Sequence, residues 1–404
     1  MIWKFCLYGF LKNLRFFEPF LYLFFLEKGL NFSHIGLLIS IREISIYIFE
    51  IPTGILADLI GRRKVMIYCF IAYLISFAMF FISAKFLLFA IAMVIFALGE
   101  ALRSGTHKSI IFDYLDKNKL ADQKIRYYGK TRSFSKLGSA LNAIIAALLV
   151  FYRNKYEIIF AAAIIPYIID LVLMISYPKY LDRKLPPNYL KIIWHDSITH
   201  IAGIFNDFKS VRNLRKSIFN SAIYDAMFKV TKDYLQPIVK SWVLLLPIFL
   251  WVTHKQRTAI LIGIVYFIIN LLSAYASRNA YKIQAKFPIS ASVINALFFI
   301  NTGLFLVSFI FIKFNLYIPI VMIFALFYIL KNIRRPYLVG FIGDIMNKEI
   351  RATVFSIETQ FRAIFAILIA PLIGYFADNF GLSSIFLVAF AVMALSSTFV
   401  YIKQ

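Results

Sequence analysis

The chain has 404 residues, of which 61% are hydrophobic and 16% charged. A soluble domain is about half apolar and about a quarter charged, so the composition excludes an ordinary soluble enzyme and points to a membrane. The formal net charge of +24 is scattered over short loops, which fits contact with anionic lipid and not with nucleic acid.

Apolar runs of roughly 20 residues, each enough to cross a hydrocarbon core about 30 Å thick, recur almost end to end. Backbone groups in lipid must pair internally, so the runs are helices and the fold class is all-α integral membrane. The first run, residues 5–27, carries Lys12, Arg15 and Glu18. No small-residue cleavage site follows it, and it reads as a retained helix rather than a signal peptide. Further runs lie at 33–57, 65–84, 86–112, 131–152 and 157–177, and then at 213–240, 251–276, 288–312, 316–341, 351–376 and 383–402. That predicts twelve transmembrane helices, six in residues 1–177 and six in residues 213–404. The connecting stretch, 178–212, places Leu190, Ile193, Trp194, Ile198, Ile201, Phe205 and Phe208 at helical spacing, which predicts an amphipathic helix on the membrane surface.

Lys and Arg concentrate in the even-numbered loops, among them Arg62, Arg63, Lys64, Lys117, Lys119, Lys124, Arg126 and Lys130. The bias predicts a plasma (cytoplasmic) membrane protein with both termini cytoplasmic. The expected partners are membrane lipids and a small-molecule substrate, with the chain acting as a monomer. Cys6 and Cys69 show no metal or redox spacing, and the five histidines form no metal pair within a span. No metal or organic cofactor is expected.

Between the second and third spans runs Glu50-Ile51-Pro52-Thr53-Gly54-Ile55-Leu56-Ala57-Asp58-Leu59-Ile60-Gly61-Arg62-Arg63-Lys64. Its skeleton, Gly54, Ala57, Asp58 and Gly61, returns as Gly374, Ala377, Asp378 and Gly381 between the last two spans. Glycines permit a tight turn and close helix approach. Asp58, at a helix end, can face the N-terminus of another helix, where the macrodipole favours an anion. The first copy resembles the signature between helices two and three of the major facilitator superfamily, and the 6+6 arrangement agrees. The resemblance implies a gate in which Asp58 meets the start of the eleventh helix, the Asn347–Arg351 region, and Arg62 meets Asp113 at the inner end of the fourth. Arg63 and Lys64 read only as topology markers. The second copy lacks the following base and is expected to keep the turn without the charge relay.

Intramembrane charges mark functional sites by default. They are Arg15 and Glu18 on helix one, Arg42 and Glu43 on helix two, Glu100 and Arg103 on helix four, and Asp225, Lys229, Lys232 and Asp233 on helix seven. Lys331, Arg334 and Arg335 lie on helix ten, Glu358 and Arg362 on helix eleven. The resemblance implies that helices one, four, seven and ten line a central cavity and that Arg103 takes part in proton transfer. Glu18 is the leading proton carrier because burial favours the protonated carboxyl; Glu100 and Asp225 come next. Many of these charges lie three or four residues from an opposite one and can pair on their own helix. Bases outnumber acids among the cavity candidates, which favours an anionic or zwitterionic substrate.

Span five offers Lys136-Leu137-Gly138-Ser139-Ala140, without the Gly-x-x-x-Gly-Pro cluster of the family's antiporters. The sequence holds no His-Glu-x-x-His, nucleophile elbow or phosphate-binding loop, so neither an enzyme nor ATP drive is expected. The leading expectation is a secondary active transporter working by alternating access, proton-coupled and exporting drugs or organic solutes. Import of an organic anion, lipid or lysolipid flipping, and a non-transporting receptor are the alternatives.

Overall fold

The computed structural model describes residues 1–120, 123–182, 212–247, 249–345 and 351–402. The surface helix expected over 190–208 lies outside the described residues.

The described residues form helices joined by short connections, without strands. The first six spans are built from α1 (Ile2–Leu11), α2 (Leu21–Glu27), α3 (Phe32–Ile60), α4 (Arg62–Ile82), α5 (Phe86–Arg103), α6 (Thr106–Lys117), α7 (Lys124–Arg153) and α8 (Ile158–Ile175). The last six are built from seven helices, α9 (Arg212–Thr231), α10 (Leu235–Leu245), α11 (His254–Lys286), α12 (Ala291–Lys313), α13 (Tyr317–Ile345), α14 (Arg351–Phe380) and α15 (Leu382–Val400). Nine helices among the described residues are long and apolar enough to cross a membrane on composition alone. The other three spans are the first, second and seventh. Two of them are broken. Span one stops at Leu11 and resumes through a 3₁₀ turn at Glu18–Phe20, and span seven is interrupted by a 3₁₀ turn at Lys232–Tyr234. Span four also breaks, between α5 and α6, where Gly105 takes φ 71°.

The chain forms two compact units. One comprises Met1–Leu30, Ile41–Leu185 and Val239–Asn270; the other comprises Asn31–Ser40, Pro186–Ile238 and Leu271–Gln404. The start of α3 joins the second unit and residues 239–270 join the first. Close backbone packing accounts for both exchanges. A Cβ at Gly36 would overlap the Ala370 carbonyl, and one at Gly374 would overlap the Phe32 carbonyl, so α3 and α14 touch main chain to main chain. A Cβ at Gly263 would strike Ala147, which brings α11 onto α7. Small residues at such contacts are how membrane helices gain packing without a hydrophobic driving force.

Within the first unit, rings of Phe17, Phe24, Phe77, Phe80, Phe89, Phe96 and Phe160 interlock through span one, α4, α5 and α8. Its loops are tied by ion pairs. Lys28 donates to Glu157 at 2.6 Å, and Lys255 pairs with Glu27. The Lys28 hydrogen bond holds the Glu157 carboxyl below its usual range, so this stabilisation is complete above the ordinary carboxylate pKa and is lost as the pH falls. The second unit packs around Leu214, Ile218, Ile294, Tyr337, Leu338 and Ile342.

Candidate functional site

The two copies of the glycine–aspartate motif fold alike. In each, a long helix ends one residue before a glycine with positive φ, Gly61 at 102° or Gly381 at 80°, and that glycine opens the next helix. Only glycine adopts this backbone at little cost. Gly61 is also closely packed, because a Cβ there would lie 2.7 Å from Asp182.

At the first copy, Arg62 donates to Asp113 at 2.6 Å and to Asp58 at 3.3 Å, linking α3, α4 and α6. The expected meeting of Asp58 with residues 347–350 lies outside the described residues, as does the side chain of Arg351. Arg63 and Lys64 are more than topology markers. Buried Arg63 donates to Asp182 at 3.0 Å and to the Ile175 carbonyl at 3.2 Å, while Asp182 also accepts the Lys64 backbone N–H at 3.2 Å. Asp182 therefore caps α4 from a distance, a partnership that short sequence spacing does not reveal. Arg63→Met should lower stability by about 2 kcal/mol, the worth of hydrogen bonds to a charged group; thermal unfolding in detergent would check it. Gly54 does not serve close approach in this conformation, since a Cβ there would meet nothing within 4 Å.

The second copy keeps more than the turn. The Asp378 carboxylate accepts the backbone N–H groups of Phe32 and Ser33, each at 2.8 Å, and the Ser33 hydroxyl at 2.5 Å. It satisfies unpaired donors at the start of α3 and sits where the helix macrodipole favours an anion. Asp58 lies near the other end of the same 29-residue helix, about 43 Å long at 1.5 Å per residue. The two copies thus mark opposite ends of α3.

The first unit holds a buried polar network. Arg15 donates to Glu100 at 2.5 Å, Tyr73 donates to the same oxygen at 2.5 Å, and Arg103 donates to the other oxygen at 2.8 Å. Arg103 also reaches the Tyr73 hydroxyl at 3.1 Å. Glu100 thus accepts from three side chains on three spans. Arg103 occupies the last turn of α5, where a cation is favoured by the macrodipole. Glu18 stands at the edge, 3.4 Å from Arg15 and with its side chain 52% exposed, so the burial on which its expected role rested is absent. Sequence reading missed Tyr73, a residue type with no signal of its own in a span. It also missed buried His107, stacked on Tyr8 at 3.6 Å and 3.1 Å from the Tyr177 hydroxyl.

In the second unit one pair that helical spacing suggests does not form. Glu358 and Arg362, four residues apart, do not pair with each other. Buried Glu358 accepts from Arg335 at 2.7 Å and from Ser221 at 2.7 Å. Asp225 lies 3.9 Å from Arg335 and 3.8 Å from Arg362, close enough for attraction and too far for a hydrogen bond. Arg334 is buried, donates to Asn220 and lies 4.1 Å from the Tyr224 ring centroid. Lys331 sits 4.1 Å from the Phe228 centroid, Lys232 pairs with Asp233 at 2.7 Å, and Lys229 lies on α9 one turn after Asp225. Six bases, Lys229, Lys232, Lys331, Arg334, Arg335 and Arg362, thus face three acids, Asp225, Asp233 and Glu358, in one unit.

Comparison with known proteins agrees with this architecture. The chain is 22% identical over 376 residues to YxaM, an uncharacterized MFS-type transporter of Bacillus subtilis (strain 168), covering 92% of this chain and 88% of that one. A variant of the nucleoside transporter NupG superposes with a TM-score of 0.79 at 13% identity, covering all of both chains. A D-xylose-proton symporter superposes at 0.70 and 13% identity, covering 100% of this chain and 96% of that one. At such identity these structures speak for the fold alone. The profile of the Major Facilitator Superfamily matches residues 5–357, and the chain belongs to that family of multi-pass membrane transporters.

Proposed function

We propose that the protein is a proton-coupled secondary active transporter that moves a small organic solute bearing a negative group by alternating access. The observation that carries the alternating-access reading is the unequal state of its two motif copies. At one end of α3, Asp378 is latched onto the helix N-terminus and Gly374 is packed against main chain. At the other end, Gly54, the counterpart of Gly374, meets nothing. Two copies of one turn, one with its first glycine packed against main chain and one with it open, are what a carrier needs if it closes one side at a time.

The excess of bases in the second unit favours an anionic group on the solute, because a positive site of low dielectric focuses anions. Efflux of drugs or other organic solutes competes with uptake of an organic anion, and the base excess favours the anion. Arg15, Glu18, Glu100 and Arg103 on the first unit, with Asp225, Lys229, Asp233, Arg334, Glu358 and Arg362 on the second, are the side chains assigned to solute and proton. Gly54, Asp58, Gly61, Arg62 and Asp113 are the residues assigned to the gate of the first copy. The protein would act as a monomer in the plasma membrane, with cytoplasmic termini as the loop charges require.

Reconstitution tests this reading. Uridine, D-xylose, a dipeptide and a dicarboxylate would be offered to proteoliposomes with and without an imposed pH gradient. The expected result is accumulation of an anionic member of the panel only when the gradient is present. Transport indifferent to the gradient would remove the proton from the account, and transport of neutral solutes alone would remove the anion.

A further inference from the structure

One carboxyl in the first unit belongs to none of these networks. Asp170 lies on α8, is fully buried, and neither of its side-chain oxygens has a hydrogen-bond partner. An ionised carboxylate in that setting would be a bare charge out of water, which is far more costly than a neutral acid. A buried acid with neither oxygen partnered demands an explanation, because most buried polar side chains are hydrogen-bonded.

What faces it supplies one. The titratable groups around Asp170 are Lys12, Tyr8 and Tyr177. Lys12 Nζ is turned toward the Tyr8 ring, 5.4 Å from its centroid, and makes no ion pair with Asp170. Lys12 is also the residue at which α1 ends, so it stands on the break in span one. Tyr167, one turn before Asp170 on the same face of α8, donates to the Lys12 carbonyl at 3.1 Å. The break is therefore moored to α8 beside the buried acid. Interrupted helices are where transporters place their ion and substrate sites.

We propose that Asp170 is a proton-binding residue of the transport cycle, undissociated in this conformation and released when Lys12 swings from Tyr8 onto its carboxylate. The O–H bond of the acid breaks, the proton passes to water admitted as the break in span one opens, and the ammonium group replaces it as counter-charge. This rests on the proton-coupled reading above and names a carrier for it outside the Arg–Glu networks.

Infrared spectroscopy of the full-length protein in liposomes at neutral pH, without solute, tests the protonation directly. The carbonyl band of an undissociated carboxylic acid should be present in the wild type, absent in Asp170→Asn and retained in Glu18→Gln. A wild-type band that survives in Asp170→Asn, or no such band at all, overturns the proposal. Flux in proteoliposomes then tests coupling, with the panel of uridine, D-xylose, dipeptide and dicarboxylate as probes. A wild type carrying one proton per solute accumulates about tenfold per pH unit of gradient. Asp170→Asn should show no accumulation yet keep solute counterflow at equal pH. Coupled accumulation by both proteins overturns Asp170 alone. Loss of counterflow as well would assign it a structural role and overturn it too. A wild type indifferent to the gradient overturns the proton-coupled reading and Asp170 with it.

Discussion

Gly374→Val is expected to abolish most transport while leaving a folded protein. The Gly374 position meets the Phe32 carbonyl so closely that even a Cβ overlaps it, and the obstacle is main chain rather than a pliable side chain. Overpacking of this kind costs about 1–3 kcal/mol, equivalent to a factor of about 5–150 in the population of the closed end. The penalty falls on a contact between α3 and α14 that an alternating carrier must make and break, so the chain can avoid it by staying open there. Counterflow should fall by a comparable factor, with the thermal midpoint in detergent nearly unchanged. Gly54→Val offers the mirror case: it meets nothing in this conformation and should slow transport only if Gly54 packs when the opposite end closes. Wild-type flux in Gly374→Val would show that this contact is static.

The second large effect is expected from Glu100→Ala. Removing this carboxylate leaves Arg15 and Arg103 facing each other, both largely buried, with the Tyr73 hydroxyl stripped of its acceptor. Removing one partner of a buried pair costs about 3–5 kcal/mol, because the remaining charge is uncompensated. Folded yield and thermal stability should both fall. Pairing Glu100→Met with Arg103→Met should destabilise less than the sum of the two single changes, since residues in one network couple. A Glu100→Ala protein as stable as the wild type would mean the network carries no structural charge balance.

Much of this was legible in the sequence because the membrane constrains it so strongly. Apolar runs can only be helices in lipid, so span positions followed from hydrophobicity. The spacing of Gly61 and Gly381 announced two identical turns because few residues other than glycine tolerate that backbone. The breaks at residues 12–17 and at Lys232–Tyr234 were not legible as breaks, because the charges there, Lys12, Arg15, Lys232 and Asp233, mark a functional site in an unbroken span just as well. Pairing was the hardest to read. Glu18 was drawn to Arg15 and Glu358 to Arg362 by helical spacing, whereas the strongest contacts of Arg15 and Glu358 are with Glu100 and Arg335 on other helices. Arg63 with Asp182, 119 residues apart, and the cap from Asp378 to Phe32, 346 apart, depend on tertiary packing that a single sequence does not display. Asp170 was overlooked as one acid in an apolar helix, and only the absence of any partner around it makes it conspicuous.

The central claim is that the two latches alternate. Spin labels at Asn31 and Asn379 would report the Asp378 end, and labels at Lys64 and Asp344 the other, by pulsed electron spin resonance in liposomes across pH and with the solute panel. The account predicts opposite movements: whenever the Asn31–Asn379 distance lengthens, the Lys64–Asp344 distance shortens. Distances that open and close together, or that stay fixed under conditions where the protein transports, would contradict it.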